Sequence, residues 1–391
     1  MIDKDQAPAR PLMFFLFVGL PILAITITPL WGWYYGFTAT QWIIAVIFLY
    51  LNGLSITGGY HRLWAHNAYQ AHPAVRLWFA LWGAGALQNS VFVWASDHRR
   101  HHRHVDDNEL DPYSAGRGLW FSHVGWMLRE YRTNTEDFSN IKDLLNDPIL
   151  QWQHRHYVAI TVAMNVGVVA LIGWALGDIW GTLILVGLLR LVVNHNVTFF
   201  INSLAHFWGR RPYTDANSAR DNDLLAFLTY GEGYHNYHHL FQTDYRNGIR
   251  WWQWDPTKWM IFALSKVKLA SQLKRIDEFK VQRAIMDTAF ERARQQIKPD
   301  DNCPLRQLLE REYQTFLESI TQWRDLQTKR YEKHRDALDG AWLEHRARLL
   351  KKWEDTHITD QLKALESNLQ QQRRRLQLIL EQSRALPVGA L

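Results

Sequence analysis

Four long apolar stretches limit the folds open to this chain. They lie at 12–31, 41–60, 157–177 and 180–204, and residues 12–60 contain no Lys, Arg, Asp or Glu. A helix needs about 20 apolar residues to cross the hydrocarbon core of a bilayer, so each stretch is long enough to span it. The first stretch lacks the small-residue cleavage site of a signal peptide and is expected to stay in the membrane. The sequence therefore predicts an all-α integral membrane protein with four transmembrane helices.

A fifth apolar stretch, AVRLWFALWGAGALQNSVFVWA at 74–95, is rich in Gly and Ala. We expect an interfacial or partly embedded helix here rather than a further span.

The distribution of charge predicts the orientation of the spans. The connections WGWYYGFTAT and GDIW contain no Lys or Arg, whereas the amino terminus, the 96–156 loop and the chain after 206 are rich in both. By the positive-inside rule, both termini and the large loop are cytoplasmic. The single cysteine, Cys303, fits the reducing cytosol and leaves any metal to nitrogen and oxygen ligands.

Histidines cluster beyond the ends of the second and fourth spans and in the large loop. The clusters are HRLWAH at 61–66, DHRRHHRH at 97–104 and GEGYHNYHH at 231–239, and His206 follows the fourth span with Asn202 one helical turn earlier. The predicted topology places all of them on the cytoplasmic side of the membrane. A single H-x-x-H is usually a solvated helix face, but two H-x-x-H-H runs on one side of the membrane favour a metal site.

The spacing of the histidines indicates more than one metal ion. Residues i, i+3 and i+4 share a helix face, which groups His98 with His101 and His102, and His235 with His238 and His239. Either face can hold a metal, and the whole set exceeds the four ligands of a tetrahedral zinc site. Two metals are the simpler interpretation. Imidazole binds Zn, Cu, Fe and Ni, so the ligand type does not choose the metal.

Three polar residues, Arg190, Asn194 and His195, fall inside the fourth span. Polar groups at this depth face a protein interior or a cavity. Two interpretations stay open: the residues line a channel for an acyl chain, or they hydrogen-bond to neighbouring helices.

The motifs HRLWAH, DHRRHH and HNYHH resemble the three histidine boxes of the membrane fatty acid desaturases. LDPYSAGRGLWFSHVGWML, INSLAHFWGRRPY and GEGYHNYHH are similar to the delta-9 acyl-CoA branch, the stearoyl-CoA desaturase-like enzymes, and the resemblance covers roughly residues 40 to 250. It implies a four-span fold with a cytoplasmic cap that holds two iron ions, and the insertion of a cis double bond into a saturated acyl chain with O2 as co-substrate. The metal-binding residues that it implies are His61, His66, His98, His101, His102, Asn202, His206, His235, His238 and His239.

The resemblance also implies partners and a location. The substrate is a fatty acyl-CoA or an acyl lipid, and because the chain shows no haem-domain motif, electrons are expected from a separate electron-transfer protein or reductase. We expect a bacterial-type member in the cytoplasmic membrane.

Asp97, Asp111 and Glu232 are candidates to orient the imidazoles. Candidates to shape an acyl tunnel are Trp64, Gln88, Asn89, Trp94, Thr198 and Phe199.

The chain is expected to have three parts: a cytoplasmic amino terminus at 1–11, a four-span domain with its histidine cap at 12–265, and a charged helical extension at 266–391. In the extension, apolar residues recur in heptad-like spacing, with a break near Asp339-Gly340. A coiled coil or helical hairpin is predicted, and both self-association and packing on the cap stay open.

The net charge is +6, but both signs are interspersed and no nucleic-acid motif occurs. Anionic lipid, CoA phosphates and an acidic redox partner fit better. In the extension, the apolar positions of the heptad-like pattern are 309, 313, 316, 320, 323, 358, 362, 365 and 369.

Three other functions share part of this pattern with acyl-CoA desaturation. A phospholipid acyl desaturase would act on a different acyl carrier. A di-iron hydroxylase or alkane monooxygenase shares the histidine boxes but would yield an alcohol. A metal transporter or sensor should place its ligands near the middle of the membrane, whereas these histidines lie beyond the ends of the helices.

Overall fold

The structure, a computed structural model, describes residues 7–134, 136–297, 304–339, 359–375 and 377–379. Within these ranges the chain is mostly helical, which confirms the predicted fold class. Short 3₁₀ turns lie at Ala115–Arg117 and Arg132–Asn134. Strands β1 (Gln70–Ala71) and β2 (Ala270–Ser271) form an antiparallel pair. The longer helices, α1 to α14 in chain order, are Pro11–Tyr34, Ala39–Ala65, Pro73–Ala84, Val91–Arg103, 119–128, Pro148–Arg155, Tyr157–Ala175, Ile179–Phe207, Asp223–Leu228, His235–Leu240, Pro256–Lys266, Glu278–Gln296, Pro304–Asp339 and 359–375.

Four of the described helices are long and apolar enough to cross a membrane, and they confirm the four predicted spans: α1, α2, α7 and α8. Short turns at 35–38 and 176–178 join them in pairs, so successive spans run in opposite directions. The carboxyl ends of α2 and α8 therefore lie on the same side of the bundle. These two helices have 27 and 29 residues, more than the about 20 that a bilayer requires. Their surplus turns carry histidines beyond the apolar part of the bundle.

The apolar stretch at 74–95 forms a helical hairpin instead of one embedded helix. Helix α3 runs back along α2: a Cβ placed on Gly59 would lie 2.7 Å from the Cβ of Phe79. Nearer the amino end of α2, the Asn52 Nδ2 donates to the Trp82 carbonyl at 2.6 Å. The chain then turns through residues 85–90, and α4 leads to the second histidine cluster. Glycines on both helices permit this close packing, because a Cβ placed on Gly83 of α3 would likewise lie 2.2 Å from the ring of Tyr60 on α2.

Polar side chains from the spans satisfy the carbonyl groups at the end of α3. Thr161 Oγ1 donates to the Ala84 carbonyl at 3.1 Å, and His195 Nε2 donates to the Ala86 carbonyl at 3.0 Å. The last carbonyls of a helix have no partner within the helix, and hydrocarbon offers none. Side chains of the neighbouring spans therefore supply the hydrogen bonds that the last carbonyls of α3 would otherwise lack.

Arg190 belongs to the same arrangement. Its guanidinium donates to the side-chain oxygens of Asn52 and Asn165, at 3.0 and 2.8 Å, and reaches the Gly85 carbonyl at 3.4 Å. The structure thus supports the interhelical interpretation for Arg190 and His195. The amide of Asn194 is fully buried and has no hydrogen-bond partner among the described residues.

The described residues fall into two compact units. The first contains the spans and the histidine clusters and extends to Arg211, with Asp215–Arg275 added. The second contains Pro212–Thr214 and the described residues from Ile276 onward.

In the second unit, α12, α13 and α14 pack through a shared apolar core. The heptad-like residues Leu309, Phe316, Ile320 and Trp323 are buried there together with Leu362 and Leu369. These side chains contact one another within a single chain. Helix α13 ends at Asp339, and the other half of the predicted break, Gly340, lies outside the described residues, as do position 358 and residues 1–6 of the predicted amino-terminal segment.

Candidate metal centre

Nine histidines of the described chain converge at one end of the helical bundle. They come from α2 and the residue that follows it, and from α4, α8 and α10. Their ligating nitrogens form two groups, and the candidate ligand atoms within each group lie within 4.8 Å of one another. The first group is His61, His66, His98, His102 and His238, and the second is His101, His206, His235 and His239. The structure therefore brings together all nine histidines that the resemblance implies as metal ligands.

The spacing of His61 and His66 requires a special helical geometry. Residues five apart lie about 140° from each other around an α-helix of 3.6 residues per turn. Here the end of α2, Ser55–Ala65, is wound as a π-helix. The His66 amide donates to the His61 carbonyl at 3.0 Å, a bond across five residues. This wider turn brings both rings to the same side. Such insertions are frequently found at functional sites.

The structure divides each H-x-x-H-H run between the two groups rather than assigning one run to one group. His98 and His102 face the first group while His101 faces the second. Neighbouring residues point about 100° apart on a helix, so His101 and His102 diverge even though both share a broad face with His98. The stacked rings of His102 and His239, with centroids 4.3 Å apart, show that the two groups are adjacent.

The distances within each group fit a shared metal ion. In the first group, His238 Nε2 lies 2.9 Å from His61 Nε2 and 3.0 Å from His102 Nε2. In the second, His235 Nε2 lies 3.0 Å from His206 Nε2 and 3.1 Å from His239 Nε2. Two nitrogens that bind one ion at about 2.1 Å and at a right angle would be about 3.0 Å apart.

Hydrogen bonding between the rings cannot account for this arrangement. An imidazole nitrogen carries either one hydrogen or one lone pair, so it serves one partner in the ring plane. His238 Nε2 and His235 Nε2 each have two close nitrogen neighbours. A cation at the middle of each group would accept all the lone pairs at once. The residues present therefore fit a pair of metal ions.

Burial keeps these rings in the form that binds metal. Neutral imidazole is the ligand, and the charged form is not. Desolvation, followed by the effect of the neighbouring imidazoles, holds the pKa well below its usual value for His66, His98, His102, His235, His238 and His239.

The outer nitrogens of several rings contact oxygen groups, which fix the ring orientation. His61 Nδ1 lies 3.0 Å from Glu232 Oε2, and His101 Nδ1 lies 2.9 Å from Asp111 Oδ1. Both carboxylates were among the candidates from the sequence. For the third candidate, Asp97, the carboxylate Oδ1 lies 3.7 Å from Arg100 Nη2.

Hydroxyl groups orient two further rings. His98 Nδ1 lies 3.1 Å from the Tyr113 hydroxyl. His206 Nδ1 lies 2.8 Å from Ser218 Oγ, and Ser218 in turn donates from its backbone amide and its hydroxyl to the carboxylate of Asp106, at 2.6 and 2.5 Å. Sequence reasoning missed these partners, because they lie in irregular loops where no helical spacing predicts a contact with the histidines.

A buried ion-pair network supports the first group. Arg62, which is 1% exposed, contacts Glu232 Oε1 at 2.8 Å and Asp255 Oδ2 at 3.0 Å. Burial by itself would raise the pKa of Glu232, but His61 and Arg62 beside it lower the pKa to about 2. Glu232 is therefore an ionised acceptor for the outer nitrogen of His61.

Of the other predicted residues, Trp94 lies next to the histidines. The ring of Trp94 stacks on His98 with centroids 4.7 Å apart. Gln88 Nε2 donates to Thr198 Oγ1 at 2.9 Å and links the α3–α4 turn to α8. Asn202 is half-buried just before the interruption of α8 at Ser203, and its role toward a metal stays a prediction.

The fold and the site define a class: a helical membrane protein with a histidine-rich metal centre at the ends of two of its spans. The sequence profile of the family described as "Fatty acid desaturase" matches residues 38–270. The chain belongs to the fatty acid desaturase family.

Individual relatives place the chain within that family. It is 41% identical over 265 residues to "Acyl-CoA desaturase 1" of Saccharomyces cerevisiae, which covers 66% of this chain and 52% of the relative. It is 40% identical over 310 residues to "Probable acyl-CoA desaturase" of Schizosaccharomyces pombe, covering 78% and 63% of the two chains. "Stearoyl-CoA desaturase 5" of Bos taurus is 37% identical over 230 residues, covering 58% and 68%. These relatives confirm the resemblance to the acyl-CoA branch.

The chain spans between about half and two thirds of the length of the two fungal relatives. All three relatives are eukaryotic, so the bacterial type stays a prediction.

Proposed function

We propose that this protein is an acyl-CoA desaturase that removes two hydrogens from adjacent methylene groups of a saturated fatty acyl chain. The observation that carries the proposal is the pair of all-histidine groups at the ends of α2 and α8. The names of the relatives at 41% and 40% identity supply the substrate class.

The balanced reaction needs an oxidant and a reductant. An R–CH2–CH2–R′ segment, one O2, two electrons and two protons give R–CH=CH–R′ and two waters. Side-chain acid–base chemistry does not break an unactivated methylene C–H bond. Bound at the two histidine groups, a pair of iron ions would supply the activation of O2 that this step requires.

The residues of this chain hold and shield that centre. His61, His66, His98, His102 and His238 would bind one ion, and His101, His206, His235 and His239 the other, with Asn202 reaching a metal through water. Glu232 and Asp111 hold two of the rings through their outer nitrogens. The nine rings are largely inaccessible to water, and this burial shields the centre from solvent.

The position of the double bond would be set by how the chain is held beside the ions. The ring of Trp94 stacks on His98, and the Gln88–Thr198 bond links the α3–α4 turn to α8, the span that carries His206. We infer that they fix the bend of the chain and favour the delta-9 position. Trp64, Asn89 and Phe199 are further candidates for this surface.

The orientation and the partners follow from charge. The histidine side of the bundle carries the Lys- and Arg-rich loops, so we infer that it faces the cytoplasm, in a bacterial cytoplasmic membrane. An electron-transfer protein or reductase would then meet the centre from the aqueous side. Self-association through the carboxyl-terminal helices stays a prediction.

The test is lipid analysis of a host that lacks its own desaturase. Expression of the parent chain should restore cis-monounsaturated acyl chains, and His101→Ala should not. His156→Ala, at an exposed position of the same cytoplasmic region, is the matched control and should behave as the parent.

Each alternative activity gives a different result. A hydroxylase would leave hydroxylated acyl chains, and restoration by His101→Ala as well as by the parent would refute a role for the histidine centre. Purified protein incubated with a saturated acyl-CoA or with a phospholipid, in the presence of a reductase, distinguishes the two acyl carriers.

A further inference from the structure

An apolar face lies beside the histidine centre and belongs to no transmembrane span. It is formed by α9, α11 and the loop between Gly248 and Asp255. Large side chains that are 40 to 61% exposed cover it: Leu224, Phe227, Leu228, Trp252, Trp259 and Phe262. We propose that this surface, the leaflet face, is sunk into the membrane leaflet that borders the histidine centre, and that its occupant is lipid.

The leaflet face is one continuous and rigid surface. Trp254 connects its parts, because its ring lies 5.0 Å from Phe227 and 5.3 Å from Trp259 between centroids. The loop that carries Trp252 is fastened from inside by Lys258. The ammonium of Lys258 donates to the carbonyls of Gly248, Arg250 and Gln253 at 2.5, 2.6 and 3.1 Å. The buried ammonium therefore fixes the loop that exposes Trp252.

The aromatic residues at the opposite ends of the spans give a reference for depth. Trp33, Trp42, Trp174 and Trp180 are 85, 48, 73 and 68% exposed around the two short turns. Exposed Trp at the ends of spans marks a membrane–water interface. From Trp42 to Gly58 along α2 is 58 − 42 = 16 residues, or about 24 Å, which is inside a hydrocarbon core of about 30 Å.

Contacts to α2 place the leaflet face within that depth. Thr257, at the start of α11, shares a hydrogen bond with Thr57 at 2.6 Å between hydroxyl oxygens. The Tyr230 hydroxyl, just after α9, donates to the Leu49 carbonyl at 3.2 Å. Both contacts fall between Trp42 and Gly58. The neighbouring apolar side chains are consequently at the height of the hydrocarbon and not above it.

Charged groups border this surface at the expected positions. Asp223, at the amino end of α9, pairs with Arg210 at 2.7 Å, and both side chains are more than half exposed. At the carboxyl end of α11, the ammonium of Lys266 lies 4.8 Å from the ring centre of Phe262. A long cationic side chain that covers an aromatic ring and keeps its charge at the edge is typical of a lipid boundary. A lipid occupant explains the apolar centre and the charged rim together.

Spin-label accessibility in nanodiscs made from phosphatidylcholine and phosphatidylglycerol tests the proposal. The chain has a single cysteine, so Cys303→Ser provides a background in which Phe227→Cys and Trp252→Cys can be labelled one at a time. Leu171→Cys, 68% exposed on span α7, is the lipid control. Glu109→Cys, in an exposed loop, is the aqueous control. The probes are O2, which partitions into lipid, and a water-soluble nickel chelate.

Labels on the leaflet face should match the lipid control, with high collision rates for O2 and loss of collisions with nickel. Nickel accessibility equal to that at Glu109→Cys would overturn the proposal. Protection from both probes would also overturn it, because a protein surface, such as a second copy of this chain, would then cover the face. Trp252 lies on an exposed loop, so its variant keeps the test valid if Phe227→Cys fails to fold.

Discussion

His61 Nδ1 lies 3.0 Å from Oε2 of Glu232, while Oε1 of the same carboxylate lies 2.8 Å from Arg62 Nη2. One carboxylate therefore joins a candidate metal ligand to a fully buried cation.

Replacing Glu232 by Gln should weaken metal binding at the first group. The amide keeps the shape of the side chain but loses its charge, so it no longer stabilises His61 in a single orientation. Loss of such a partner typically costs about 10 to 100-fold in metal affinity. Iron retention during competition with a chelator measures the effect. Glu109→Gln, in an exposed loop, should retain iron as the parent does, and equal retention by both variants would contradict the prediction.

His98→Ala and His101→Ala should damage different ions, although they are three residues apart on one helix. The structure assigns His98 to the first group and His101 to the second. Mössbauer spectra of the iron-loaded variants should therefore lose different components. Identical spectra from both variants would show that the second histidine box serves a single ion.

Ser218→Ala should loosen the second group through His206. The variant removes the hydroxyl that links His206 Nδ1 to Asp106, and we expect about tenfold weaker iron retention. Ser218→Thr keeps a hydroxyl and should restore retention. Equal losses in the alanine and threonine variants would point to a packing defect instead.

Thr198→Val should alter where the double bond is placed more than it alters the fold. It removes the acceptor of the Gln88 amide, which costs about 1 kcal/mol of stability. Fragmentation analysis of the products should show a mixture of double-bond positions. Gln88→Leu should give the same mixture. A product pattern identical to that of the parent would exclude this bond from the control of position.

His195→Phe should destabilise the bundle without removing metal. The variant keeps an aromatic ring next to Phe199 but leaves the Ala86 carbonyl without its donor. Interhelical hydrogen bonds in membranes contribute about 0.6 to 1.7 kcal/mol. A lower melting temperature in detergent with unchanged iron content is expected. His156→Phe, at an exposed site, should melt as the parent does.

Hydropathy was sufficient to predict the spans, because a run of about 20 apolar residues has few alternatives to crossing a bilayer. The histidine motifs were sufficient to predict which rings converge. They could not predict which ring faces which group, because that depends on an angle of about 100° between consecutive residues and on the π-helical end of α2.

Long-range partners were the other part that the sequence did not reveal. Tyr113, Ser218 and Asp106 reach their histidines through loop geometry, and no periodic pattern marks them. The role of Arg190 and His195 became clear only when the end of α3 was seen inside the bundle. A polar residue in a span indicates a buried partner, but not whether that partner is a substrate or a backbone carbonyl.

The interleaving of His101 and His102 has a mechanical consequence. Because adjacent residues of one helix belong to opposite groups, the distance between the two groups is fixed there by covalent backbone and not by the docking of separate segments. If the spans tilt or shift as the bilayer changes thickness, the two histidine groups would still move together.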